Sequence, residues 1–190
     1  MSERCAIRPE TLSRDRAPRV LEPDREGELT TLEKEVWRLL EDVPDPEIPI
    51  LSVVDLGLIR YVREQDGHGV CVGVSPTYTG CPATEVIRAQ IEAKLREAGY
   101  ASVQVESVLS PAWTSDWLTE SGREKLREYG IAPPERSVST PRQLWRDPQV
   151  SCPRCDSSRT ERVSEFASTP CKALYRCLSC FEPFEYFKCL

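Results

Sequence analysis

The chain has 190 residues, 39% of them hydrophobic and 29% charged, with a formal net charge of -6. That length fits one large domain or two modest ones. No run approaches the roughly 20 apolar residues of a membrane-spanning helix, which excludes an integral helical membrane protein. The acidic balance argues against a general nucleic-acid binder. Nine Cys stand against a single His, His68. One imidazole removes most His-dependent catalysis, and the nine cysteines need a role.

The predicted elements follow in chain order. Residues 1–28 mix Arg, Pro, Glu and Asp with few apolar side chains and read as a disordered tail. With no apolar signal-peptide core and no acid-poor transit segment, the expectation is a cytoplasmic protein. In that compartment paired Cys are metal ligands or reactive thiols more often than disulfides. Thr30-Thr31-Leu32-Glu33 matches a capping box, and Leu32, Val36, Leu39, Leu40 and Val43 mark one apolar helix face that ends before Pro44 and Pro46. The second half of 48–63 predicts a strand. Gln65-Asp66-Gly67-His68-Gly69 predicts a turn, and Val70-Cys71-Val72-Gly73-Val74 a second strand that closes a hairpin.

Ser75 to Pro82 reads as a loop. The helix after it carries Val86, Ile87, Ile91 and Leu95, with Pro82 suited to its first position and Gly99 to its end. Residues 103–109 alternate as a strand, and a helix is predicted from Ser115-Asp116 to about Tyr129-Gly130. The order helix, strand, strand, helix, strand, helix implies an α+β fold with helices on one face of a short sheet, here assigned to residues 29–131. Residues 132–149 are rich in Pro and polar side chains and read as a linker. Residues 150–190 hold six of the nine Cys, with six basic and five acidic side chains, and are expected to form a second module.

That module contains Cys152-Pro153-Arg154-Cys155 and Cys177-Leu178-Ser179-Cys180, two Cys-x-x-Cys knuckles separated by 21 residues. Each knuckle lets two sulfurs of one tight turn reach one ion. Two knuckles give the four-thiolate tetrahedron preferred by structural zinc, so a zinc ribbon is expected, with the metal folding a segment too small to hold its own core. Four Cys can also hold an iron-sulfur cluster, pair as disulfides or stay free thiols. Cys171 and Cys189 remain over. Cys171 is either a small buried residue or a spare ligand beside Lys172, and Cys189 is unassigned. Phe181, Phe184, Tyr186 and Phe187 suit the ribbon's core and a partner-docking face better than a base-stacking platform.

Cys81 has a different setting, in the loop Thr77-Tyr78-Thr79-Gly80-Cys81-Pro82 just ahead of a helix. Free amides and the positive end of the helix dipole favour a thiolate there, suited to a nucleophile or a soft-metal ligand. A buried structural thiol would fit the same position. Gly80 is expected to let the backbone approach closely, and Thr77 and Thr79 offer hydroxyls. Cys-His catalysis is disfavoured because His68 sits at a hairpin tip. Cys71 reads as packed and Cys5 lies in the tail. Asp45, Glu47 and Asp55 form an acidic constellation that could serve acid-base or hard-metal chemistry; composition alone favours Asp45 as a turn former at the end of the first helix and Asp55 as a cap or brace of a loop.

Asp45-Pro46-Glu47, Val54-Asp55-Leu56-Gly57-Leu58 and Thr79-Gly80-Cys81-Pro82 together resemble the MIP18 (DUF59) family, associated with iron-sulfur protein maturation. The likeness is closest to the branch of that family found in phenylacetate degradation. It extends from about Leu29 to Leu190 through Leu109-Ser110-Pro111-Ala112-Trp113-Thr114-Ser115-Asp116-Trp117, Gly130-Ile131-Ala132-Pro133-Pro134 and the tail from Cys171 to Cys189. The resemblance implies an accessory factor of the phenylacetyl-CoA epoxidase system with no catalysis of its own. It would hand iron or an iron-sulfur cluster transiently to the oxygenase or its iron-sulfur flavin reductase. Cys81 would be the functional thiol, with Asp45, Glu47 and Asp55 in supporting roles. One thiol is an incomplete site, so a homodimer or the client would complete it. Competing readings are a structural subunit of the oxygenase complex and a zinc-ribbon nucleic-acid binder.

Overall fold

The computed structural model describes residues 29–67, 69–78, 80–135 and 148–188. The predicted tail, His68, Thr79, Cys5, Cys189 and most of the predicted linker lie outside them. The first part runs α1 (Thr31–Glu41), β1 (Ile59–Gln65), β2 (Gly69–Val74), α2 (Ala83–Glu97), β3 (Ser102–Ser107) and α3 (Glu120–Tyr129). This is the α+β order expected from the periodicity. Thr30 opens α1 with the full capping box: its hydroxyl accepts from the Glu33 amide at 3.1 Å, and Glu33 accepts from the Thr30 amide at 2.9 Å.

The sheet order is β1-β2-β3. β1 and β2 form the antiparallel hairpin, and β2 pairs in parallel with β3 across the α2 crossover. All six residues of β2 are buried, as a central strand packed on both faces requires. α2 buries Ala83, Ile87, Ile91 and Leu95 against the sheet. Val86 is 47% exposed, because the four-residue spacing of Ile87, Ile91 and Leu95 sets the inner face and leaves Val86 about a quarter-turn away.

One expected helix is divided. Ser115–Trp117 form a single 3-10 turn, Leu118 is extended, and α3 starts only at Glu120. Thr119 causes the restart, since its hydroxyl accepts from the Gly122 amide at 3.0 Å as an N-cap. The turn lies so close to the 52–58 loop that a Cβ on Gly57 would collide with the Trp117 carbonyl, and Gly57 is itself left-handed at φ 64°.

Asp55 ties the same region together. Its carboxylate accepts from the Ser52 amide and hydroxyl, both at 3.0 Å, from the Thr119 hydroxyl at 3.3 Å and from Lys125 at 2.6 Å. Burial opposes its ionisation, but Lys125 and the Ser52 amide outweigh it and hold the carboxyl below its ordinary 3.8. The folded state therefore binds the proton less readily than the unfolded state. The stabilisation is complete above the ordinary carboxylate range and lost as pH falls through the lower folded value. Asp55→Ala should strand several buried donors and cost about 2–3 kcal/mol in urea unfolding at neutral pH, and the cost should shrink in acid. A loss below 0.5 kcal/mol would contradict this bracing role.

The second part adds β4 (Ile131–Ala132), β5 (Thr160–Ser164), β6 (Lys172–Cys177) and β7 (Pro183–Phe187), in the sheet order β4-β7-β6-β5. β4 immediately follows α3, yet it pairs in parallel with β7, Ile131 opposite Glu185 and Ala132 opposite Tyr186. The packing crosses the junction as well. Tyr175, Phe184 and Tyr186 form a small cluster with Cys152, Cys177 and Val150, whereas Cys171 and Phe187 belong to the larger core of the first part. There Phe187 meets Trp113 edge-on at 6.1 Å. Phe181, expected in the ribbon's core, is 65% exposed beneath the Arg176 guanidinium.

Candidate functional site

Two cysteine sites emerge. In the ribbon, the sulfurs of Cys152, Cys155, Cys177 and Cys180 all lie within 4.8 Å of one another. Cys152 and Cys180 are 3.7 Å apart, and Cys155 and Cys177 are 3.6 Å apart. A tetrahedron with metal-sulfur bonds of ~2.3 Å has edges of ~3.8 Å, so the quartet fits one tetrahedral ion. Thiolates bound to separate irons of a cluster would have to stand further apart. The knuckle is built for anions: the Cys180 and Ser179 amides donate to the Cys177 sulfur at 3.4 and 3.3 Å and hold that thiol down at about 6. Cys155 receives the Ser157 amide, which favours its thiolate. Desolvation and the bonds it shares with Cys177, Cys180 and Cys152 nonetheless push it up to about 12. A metal ion among the four sulfurs would favour their thiolate forms and balance the charge.

The other site is a cleft of about 450 Å³, open solvent included, whose lining includes Asp45, Glu47, Ser75, Cys81, Cys171 and Phe187. Cys81 is half-buried just ahead of α2. Pro82 is the N-cap, one place earlier than expected. The Cys81 amide donates to the Tyr78 carbonyl at 3.2 Å, and its own carbonyl accepts from Thr84 at 3.2 Å. Gly80 has a different role from the expected close approach. No atom lies within 4 Å of where its Cβ would stand, and its φ of 87° is the feature that calls for glycine. Tyr78 shares a side-chain hydrogen bond with Cys81. Burial first, then that bond and the nearby charges of Cys81, Glu47 and Cys171, push the phenol up to about 12. It therefore stays a neutral donor beside the sulfur.

The acidic residues separate. Asp45 and Glu47 line the cleft, as does Thr77, while Asp55 is engaged in the network described above. Asp45 accepts from the Glu47 and Ile48 amides at 2.9 and 2.8 Å, shaping the 45–48 turn. Burial raises its carboxyl despite those bonds. Burial and the Asp45 charge raise Glu47 as well. Lys172 lies close to both but is itself paired with Glu185 at 2.8 Å and is 3% exposed. Cys171 comes to the cleft from the start of the ribbon hairpin. It is buried, shares a 3.0 Å contact with the Thr169 hydroxyl, and burial raises its thiol. Cys71 is fully buried in β2. Sequence reasoning did not single out Tyr78 or Ser75. Tyr78 was visible in the Cys81 loop, whereas Ser75 gave no signal.

Comparison with known proteins finds a match for each part of the chain. Residues 33–107 match the iron-sulfur cluster assembly protein family, and residues 136–188 match the PaaD zinc beta ribbon domain. The class is thus an assembly-type α+β domain joined to a four-cysteine ribbon. Over 156 residues, 82% of this chain and 92% of the relative, the sequence is 53% identical to an Escherichia coli K12 protein named as a 1,2-phenylacetyl-CoA epoxidase subunit. The chain belongs to this PaaD family. A Porphyromonas gingivalis Fe-S protein maturation auxiliary factor is 32% identical over 106 residues, covering 55% of this chain and 97% of the relative. A crystal structure of a DUF59 domain from Bacillus anthracis is 24% identical and covers 50% of this chain and 91% of its own, with a TM-score of 0.47. Among the described residues no helix is long and apolar enough to cross a membrane.

Proposed function

We propose that this protein is an accessory factor of the phenylacetyl-CoA epoxidase system that hands iron or an iron-sulfur cluster to the oxygenase or its iron-sulfur flavin reductase. The carrying observation is Cys81, half-buried in the turn before α2 and lining a cleft with Asp45 and Glu47, with a neutral Tyr78 hydroxyl beside its sulfur. A carrier must release its cargo. An open thiol suits release, whereas the caged ribbon quartet suits retention. Zinc in that quartet is the resident metal, which shapes the ribbon and leaves the cleft to the cargo. The name of the Escherichia coli relative supports the epoxidase client, and that of the Porphyromonas relative supports the maturation role. The protein works in the cytoplasm and needs no catalysis of its own.

The test is a Cys81→Ser chain expressed in phenylacetate-grown cells in place of the wild type. Iron and sulfide in the purified reductase, and epoxidase activity, should fall at least tenfold while the variant retains its ribbon zinc. Unchanged client loading would overturn the reading. If, in addition, the chain remained in the active complex in fixed stoichiometry, the structural-subunit reading would replace it.

A further inference from the structure

The cleft holds more than Cys81. Ser75 is 1% exposed and lines the cleft, and its hydroxyl oxygen is buried without a hydrogen-bond partner. A buried hydroxyl without a partner costs roughly 1–3 kcal/mol, and a bound ligand would remove that cost. Among mostly apolar side chains, the same cleft is lined by two thiols and two carboxylates, Cys81, Cys171, Asp45 and Glu47, donors that suit a borderline-soft cation. The thiols come from opposite parts of the molecule: Cys81 from the loop before α2, and Cys171 from the residue before β6. Both act on the Tyr78 phenol, and Glu47 acts on both Tyr78 and Cys171.

We propose that Cys171 is the second thiol of the cargo site, so that one thiophilic divalent metal ion binds between the sulfurs of Cys81 and Cys171 with the Ser75 hydroxyl facing it. The proposal rests on the reading of Cys81 as the transfer thiol, and adds that the ribbon is part of the site rather than a separate docking module. Binding replaces two S–H bonds with two metal-sulfur bonds and releases two protons to solvent, with no change in oxidation state. Asp45 and Glu47 line the same cleft and offer carboxylate oxygens to it. Among the described residues only the ribbon quartet brings three or more candidate ligand atoms within 4.8 Å of one another. The cleft thus presents an unfinished coordination shell, which a client's own ligands can complete as the ion leaves. Ribbon and cleft are coupled through the chain itself: Lys188, directly after β7, donates its amide to the Cys171 carbonyl at 2.9 Å.

The experiment uses the full chain, purified anaerobically with its ribbon filled by zinc, and Co²⁺ as the probe. Wild type should take up one Co²⁺ with a sulfur-to-cobalt charge-transfer band while keeping its zinc. Cys171→Ser and Cys81→Ser should each weaken Co²⁺ binding at least tenfold with zinc retained. Weakening in Cys81→Ser alone would overturn the second thiol and leave the transfer reading standing. Unaltered binding in both would overturn the two together. Should Cys171→Ser lose its zinc or its fold, the wild-type chain decides. Phenylarsine oxide condenses with two neighbouring thiols, forming two As–S bonds and releasing water. Its adduct, mapped by proteolysis, should join Cys81 to Cys171, and an adduct lacking Cys171 would overturn the proposal.

Discussion

Cys177→Ser should empty the ribbon of metal and unfold it. Cys177 is fully buried, lies 3.6 Å from Cys155, and receives the two amides of its knuckle. Serine keeps the shape but offers a hydroxyl that does not ionise near neutral pH, so the quartet becomes three thiols around a poor fourth ligand. Metal binding in isolated zinc-finger units is worth about 10–16 kcal/mol, comparable to the ~5–15 kcal/mol stability of a whole domain. The small cluster around Tyr175 cannot offset a loss of that size. Metal per chain should fall from one to near zero, and amide exchange in β5 and β6 should accelerate at least 100-fold. β2, buried by α2 and its sheet neighbours, should keep its protection. Full metal content in the variant would contradict the four-ligand site. The same measurements on wild type treated with a strong chelator should reproduce the variant's pattern and reverse when zinc is restored.

The parts legible in the sequence are those encoded locally. The capping box at Thr30 and Glu33, the apolar run of β2 and the two knuckles are each short-range patterns, and each appears where the sequence put it. The helix expected from Ser115 failed at a local level too, because Thr119 competes as a cap and restarts the helix. The cleft was illegible for a different reason. Its members are Asp45, Ser75, Cys81 and Cys171, and the contacts that gather them run from Trp113 to Phe187 and from β4 to β7. No period or motif spans such separations. Composition could show that Cys171 was left over, but not that it lines the same cleft as Cys81. For the acidic constellation the sequence offered a turn for Asp45 and a brace for Asp55 beside acid-base or metal chemistry, and the hydrogen bonds fit the turn and the brace. Asp45 and Asp55 are both buried carboxylates, and only their partners distinguish them: backbone amides shape a turn around Asp45, whereas Lys125 holds Asp55 as an anion.

Phe187 is where these long-range contacts converge, and Phe187→Ala tests whether they matter. The ring is 1% exposed, packs edge-on against Trp113, and lines the cleft beside Cys171. Trp113 is fixed in turn by its indole N–H, which donates to the Leu56 carbonyl at 3.0 Å. Removing a buried aromatic ring costs about 3–5 kcal/mol. Here the loss falls on the contact between the ribbon's last strand and the first core. Urea unfolding should therefore shift by that amount, and an alkylating thiol reagent should reach Cys171 at least tenfold faster in the native state. Phe184→Ala supplies the contrast. Phe184 stacks on Tyr175 within the ribbon's own cluster, their ring centres 6.0 Å apart, so its loss should destabilise the ribbon without opening Cys171. Equal Cys171 reactivity in both variants would mean that the ribbon does not close the cleft. Faster reaction in Phe187→Ala alone would show that one aromatic contact holds the ribbon-borne thiol in the same cleft as Cys81.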